Sequence, residues 1–251
     1  MRVPFPHSAV AAAIAVCLAS GYAAWAQQPA PPRAVWTPTS DAPRDLLTSL
    51  EGERHDRFIG RAQAGDIDIV FFGSTDTEMW LWADRGRSVW DRKFGALKAA
   101  DFGSQGTRFE SLMWRMRNGE LDGYRAKVVV LQAQGDDDTA VRNGKFDDYV
   151  AQYAAIIAEI RARQPQARIL LFGFFPRSEV HAGRQANAAL GKLANNESVY
   201  FIDISDRFFR PDGSHNDAMW TMTGPPNAGI QTPAFEVWAE VLQPWLDRFV
   251  R

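Results

Sequence analysis

The sequence predicts an α/β fold: a single three-layer α/β/α sandwich around a five-stranded, mainly parallel sheet. Three observations carry this. Five short runs read as strands, the clearest being residues 67–72, a run that is apolar, β-branched and aromatic and ends at Gly73, as a buried strand does. Segments with helical periodicity separate them, so strand and helix alternate. No internal repeat or second composition block interrupts the 251 residues, a length suited to one substantial domain. With 46% hydrophobic and 23% charged residues, the composition excludes a disordered chain, collagen and a coiled coil. A formal net charge of −2 without a basic run argues against a nucleic-acid partner.

Residues 1–26 read as an export signal. Arg2 supplies the positive start, an apolar run extends from Ala9 to Ala19, and Ala24-Trp25-Ala26 fits a cleavage site. That run is shorter than the roughly 20 residues of a bilayer span. The expected location is therefore periplasmic or secreted, with no integral membrane segment. Cys17 is the one cysteine and falls inside the signal, so the mature chain is expected to lack disulfides and thiolate chemistry. Residues 27–43, rich in Pro, Gln and Thr, read as a linker. Residues 44–251 form the domain.

Within the domain, 46–64 is helical, with Leu46, Leu47, Leu50 and Phe58 as candidate core contacts. The first strand is 67–72, ending at Gly73. Further strands are expected at 97–102, 127–133, 168–174 and 199–204. In helix 146–163, Tyr149, Tyr153, Ile156, Ile157 and Ile160 share one stripe, and Gln164-Pro165 ends it. Helix 233–250 closes the chain, with Pro at its start. Ligands of such sheets bind beyond the carboxyl ends of the strands. The loops 73–78, 102–108 and 134–139 are therefore the candidate site.

Two of these loops carry motifs. Ile67-Asp68-Ile69-Val70-Phe71-Phe72-Gly73-Ser74-Thr75 resembles the first block of the SGNH (GDSL-type) hydrolases, an apolar strand followed by Gly-Asp-Ser-x-Thr. Asp101-Phe102-Gly103-Ser104-Gln105-Gly106, followed by Trp114-Arg115-Met116-Arg117-Asn118-Gly119-Glu120-Leu121, resembles the platelet-activating-factor acetylhydrolase branch. There an Asn-x-Gly-x-x-Gly turn leads into a helix ending Leu-Trp-Arg-Leu-x-Asn-Gly-Glu-Leu. Lys127-Val128-Val129-Val130-Leu131, Phe175-Pro176-Arg177 and Trp238-Ala239 fit later landmarks. The resemblance spans 41–249 and implies the flavodoxin-like SGNH hydrolase fold. It also implies acyl transfer to a serine followed by hydrolysis. A His three residues after an Asp is the base, and Ser and Gly amides with an Asn side chain hold the oxyanion.

At the reacting positions the chain departs from that pattern. Thr75 stands at the nucleophile and Ser74 at the preceding Asp. A Thr hydroxyl is competent, but its methyl stiffens the side chain and crowds the attack path. The plain structural role of the pair is a polar turn serving nearby backbone groups. Gly106 keeps the oxyanion glycine, in a turn opening a helix where amides face outward. Asp136 takes the Asn position, and an ionised carboxylate cannot donate to an oxyanion, so only its protonated form would serve. Asp136-Asp137-Asp138 also suits a solvated loop, or a hard-cation site with Asp76, but contiguous spacing assigns no metal, and no cofactor is expected.

The base is missing from its place. Counting back from Trp238-Ala239 gives Pro226-Asn227-Ala228-Gly229; counting forward from Met219-Trp220 gives Thr221-Met222-Thr223-Gly224. After residue 26 the histidines are His55 in the first helix, His181 in a loop and His215 near Asp217, of which His215 alone lies near the expected loop. Two functions follow. One is an exported SGNH-fold protein without the usual catalytic set, binding a small acyl or carbohydrate ligand, such as an acylated sugar or lipid. Its cleft would comprise Ser74, Thr75, Gly106, Arg108 and Asp136. The alternative is an O-acyl esterase using Thr75 or Ser74 with His215 as a relocated base. Trp80, Trp82 and Trp220 would suit stacking on sugars, although the spacing of Trp80 and Trp82 favours core packing.

Overall fold

The computed structural model of the protein describes residues 47, 49–132, 139–175, 180–221 and 229–251. Helix α1 (Ser49–Gln63) precedes β1 (Ile69–Gly73), the one-turn α2 (Thr75–Glu78) and α3 (Arg87–Lys93). Then come β2 (Ala99–Gly103), α4 (Phe109–Arg115), β3 (Val128–Gln132), the short α5 (Thr139–Arg142) and α6 (Phe146–Arg163). The chain continues through β4 (Arg168–Phe172), α7 (Val180–Leu190) and β5 (Val199–Ile202). A two-stranded antiparallel ribbon, β6 (Trp220–Thr221) with β7 (Gly229–Ile230), precedes the closing helix α8 (Thr232–Phe249). Periodicity gives no warning of so short a ribbon.

The large sheet has the order β2-β1-β3-β4-β5, and each neighbouring pair is parallel. Alternation along each strand sends side chains to opposite faces, and both faces are apolar. Val70, Phe72, Val129, Leu131, Ile169 and Leu171 meet the α6 stripe and residues of α4 and α7. Ile69, Phe71, Val128, Val130, Leu170 and Phe172 meet α3 and α8 on the other side. Helices thus cover both faces, giving the three-layer sandwich that the alternation predicts. Among the described residues, no helix is long and apolar enough to cross a membrane.

Some expectations need correction. Leu50 is 40% exposed, because α1 turns that position away from the sheet. Leu47 is buried and Phe58 packs against the core, while Leu46 lies outside the described residues. Trp80 and Trp220 are buried in the α8-side core, so neither presents a face for stacking on a sugar. Trp82 is half-buried. His181 sits in the first turn of α7, exposed, rather than in a loop.

Candidate active site

The strand order reverses between β1 and β3, with β2 on one side of β1 and β3 on the other, and this makes the carboxyl ends of these strands the natural crevice of the sheet. A Cβ on Gly73 would lie 1.9 Å from Thr77 Oγ1, so only glycine lets α2 fold back over the strand end. The Thr77 hydroxyl then donates to Gln132 Oε1 at 2.9 Å, tying the β1 loop to the end of β3. Ser74 occupies the N-cap position of α2, with its side chain making no capping hydrogen bond. Its carbonyl accepts from the Glu78 amide at 3.0 Å. Ser74 and Thr75 are both half-buried.

The β2 loop packs directly on this turn. A Cβ on Gly103 would lie 2.3 Å from the Glu78 amide nitrogen, so a side chain there would collide with the backbone of α2. Gly106 is exposed with φ +80° and open space where a Cβ would sit, so its conformation, not crowding, selects glycine. Arg108 is exposed at the start of α4; its amide donates to Ser111 Oγ at 2.9 Å. Ser111 in turn donates to Glu51 of α1 at 2.8 Å.

The Trp-Arg-x-x-Asn-Gly-Glu-Leu segment acts as the anchor of this loop. Arg115 is fully buried and grips Glu120 through Nε at 2.8 Å and Nη2 at 3.0 Å. It also donates to the Phe102 carbonyl at 2.6 Å and to Thr107 Oγ1 at 2.8 Å, beside Gly106. Gly119, at φ +110°, makes the turn that brings Glu120 back under Arg115. His55 Nδ1 completes the cluster 2.9 Å from Glu120. An ion pair this deep is stable only because each charge has several partners.

Asp101 and Glu78 supply the local electrostatics. Burial pushes the Asp101 carboxyl well above the usual carboxylate range, and the Glu78 charge adds to this; the Gly103 amide, donating at 2.7 Å, and Arg115 oppose it. Burial thus favours the protonated form of Asp101, which accepts at one oxygen and donates from the other. That is the pattern of the Asn which the acetylhydrolase block has here. Glu78 is held by Arg54, by the Trp82 indole at 3.1 Å and by the Gln105 amide.

The fold thus brings Ser74, Thr75 and Gly106 to the carboxyl ends of adjacent strands, with Arg108 at the next helix start. Asp136 lies outside the described residues, as do 222–228, which include most of both stretches where the resemblance would place the base. His215 forms a bridge with Phe209 and packs between Phe209 and Trp220, with ring centroids 5.0 and 5.4 Å away. Asp217 accepts from Arg210 at 3.2 Å. Thr77 and Gln132 carry no sequence signal because each is an ordinary polar residue at a strand end or turn, whereas Asp101 opens the second motif without its burial being marked. Arg115 and Glu120 lie within the Trp-Arg-x-x-Asn-Gly-Glu-Leu motif, but their burial as a pair has no periodic signature.

Comparison with known proteins agrees with this geometry. The chain is 30% identical over 170 residues to platelet-activating factor acetylhydrolase IB subunit alpha2 of Rattus norvegicus, covering 64% of this chain and 69% of that protein. It is 28% identical over 171 residues to subunit alpha1 of Homo sapiens, covering 65% and 71%. A solved structure of a putative platelet activating factor from Streptococcus pneumonia is similar with a TM-score of 0.64 at 15% identity, covering 81% of this chain and 95% of that one. The profile of the GDSL-like lipase/acylhydrolase family matches residues 69–224, more than half of the chain. A match of that extent shows that the chain belongs to the GDSL-like lipase/acylhydrolase family.

Proposed function

We propose that this family member is exported, binds a small acyl or carbohydrate ligand at the carboxyl ends of β1, β2 and β3, and hydrolyses esters only weakly. The observation that carries this reading is the disposition of its histidines. A general base must come within hydrogen-bond reach of the hydroxyl that it activates. His55 is engaged with Glu120 inside the α1 layer, His181 is exposed on α7, and His215 is packed between two aromatic rings. The Thr75 methyl and the carboxylate of Asp136 point the same way. In serine hydrolases, loss of the base alone costs on the order of 10³-fold or more in rate. The acetylhydrolase relatives support a short acyl group as the recognised moiety.

Hydrolysis of short p-nitrophenyl esters tests the proposal. Wild-type turnover is expected to be low and unchanged by Thr75→Ala. Robust turnover abolished by both Thr75→Ala and His215→Ala would overturn it and make the protein an esterase with a relocated base.

A further inference from the structure

Beside these loops lies a cavity of about 430 Å³ between α1 and the outer edge of β2. That volume falls within the range of small-molecule sites. Ser74, Thr75 and Gly106 do not line it, so it is distinct from the crevice at the strand ends. One wall is a single face of α1, where Arg54, Arg57, Phe58 and Arg61 recur at helical spacing. The opposite wall includes Asp101 of β2, an edge strand, and the mouth carries Trp82 and Leu81, the latter 40% exposed.

Two polar atoms in these walls are buried without a hydrogen-bond partner: Asp101 Oδ2, on a residue only 8% exposed, and Arg54 Nη1. Such groups cost free energy unless a partner arrives. Arg54 can only donate, and burial of Asp101 disfavours its ionised form, so an incoming acceptor suits both atoms. The surrounding charge selects an anion. Glu78 is already matched by Arg54, whereas Arg61 donates to the neutral carbonyls of Gly65 and Asp66 at 2.6 and 3.1 Å. Arg57 is exposed and makes no ion pair among the described residues. Phe58, Leu81 and Trp82 offer the apolar remainder.

We propose that this cavity binds the carboxylate of a small amphiphilic acid, with the acid's apolar body against Phe58, Leu81 and Trp82. A carboxylate has two oxygens for the two unpartnered donors, and its planar group suits an arginine fork. The apolar wall distinguishes such an acid from a bare anion.

Octanoate titrated into the full chain, followed by tryptophan fluorescence and calorimetry, is expected to saturate. Octanol, which lacks the charge, and inorganic phosphate, which lacks the apolar body, are each expected to bind at least about tenfold more weakly. Arg57→Ala is expected to weaken octanoate about fivefold or more. Asp101→Asn keeps a donor and retains binding, whereas Asp101→Leu loses it. Thr75→Ala leaves octanoate binding unchanged, which separates this site from the proposed ligand crevice. Absence of saturation, equal affinity for octanol, undiminished binding by Arg57→Ala or loss by Asp101→Asn would each overturn the proposal. Arg57 is exposed on α1, so its variant keeps the fold and decides the matter even where Asp101→Leu does not.

Discussion

Asp101 shows how one side chain couples solvation to stability. The folded protein holds the Asp101 proton more tightly than the unfolded chain does, because ionisation inside the protein is opposed by burial and by Glu78. Its contribution is therefore most favourable below the usual carboxylate range and declines as pH rises towards the raised folded value. Asp101→Asn keeps the acceptor for the Gly103 amide and removes the ionisable group. Thermal melts are expected to show the variant more stable than wild type by about 1–3 kcal/mol near neutral pH, with the gap closing in acid. Arg115 is the opposite case. Arg115→Leu leaves Glu120 buried with His55 as its remaining side-chain partner, and is expected to cost about 3–5 kcal/mol in denaturant unfolding.

At the scale of elements, the junction of α2 with β2 depends on a missing side chain. Gly103→Ala would drive a methyl into the backbone of Thr77 and Glu78, forcing the turn that bears Thr75 away from the β2 loop. A loss of about 1–3 kcal/mol is expected, together with faster amide exchange in residues 74–78 than in the rest of the sheet. Unaltered exchange there would show that the two loops are not mechanically joined. The sequence reveals these elements unevenly. The core strands and the Tyr149-to-Ile160 stripe are legible because burial on a regular element repeats with its period. The ribbon before α8, only two residues per strand, is too short for a period, and Leu50 carried an apolar identity without the burial. The site is legible where a backbone motif marks it, at Gly73 and Gly106. It is not legible where tertiary contact decides, as between Thr77 and Gln132.

For the molecule as a whole, the two cores set the reserve of stability. Trp238 is fully buried in the α8-side core against Trp80, Phe172 and Phe175. Trp238→Ala is expected to cost about 3–5 kcal/mol, checked by the midpoint of urea unfolding. The proposed export makes a separate demand: intact-mass measurement of protein from the producing cells is expected to find Gln27 at the amino terminus, and a chain retaining Met1 would count against it. The anchoring of the Gly106 loop by Arg115 and Glu120 has a further consequence. The residues that hold the loop in place are different from those that would do chemistry at its rim. Folding and reactivity therefore place their demands on separate positions, and Thr75 is free to change without loosening the frame beneath it. Most hydrolases must trade robustness for a strained, charged centre. A frame that carries none of the reacting groups absorbs substitution at its rim, which makes it a tolerant starting point for installing new reactivity by directed evolution.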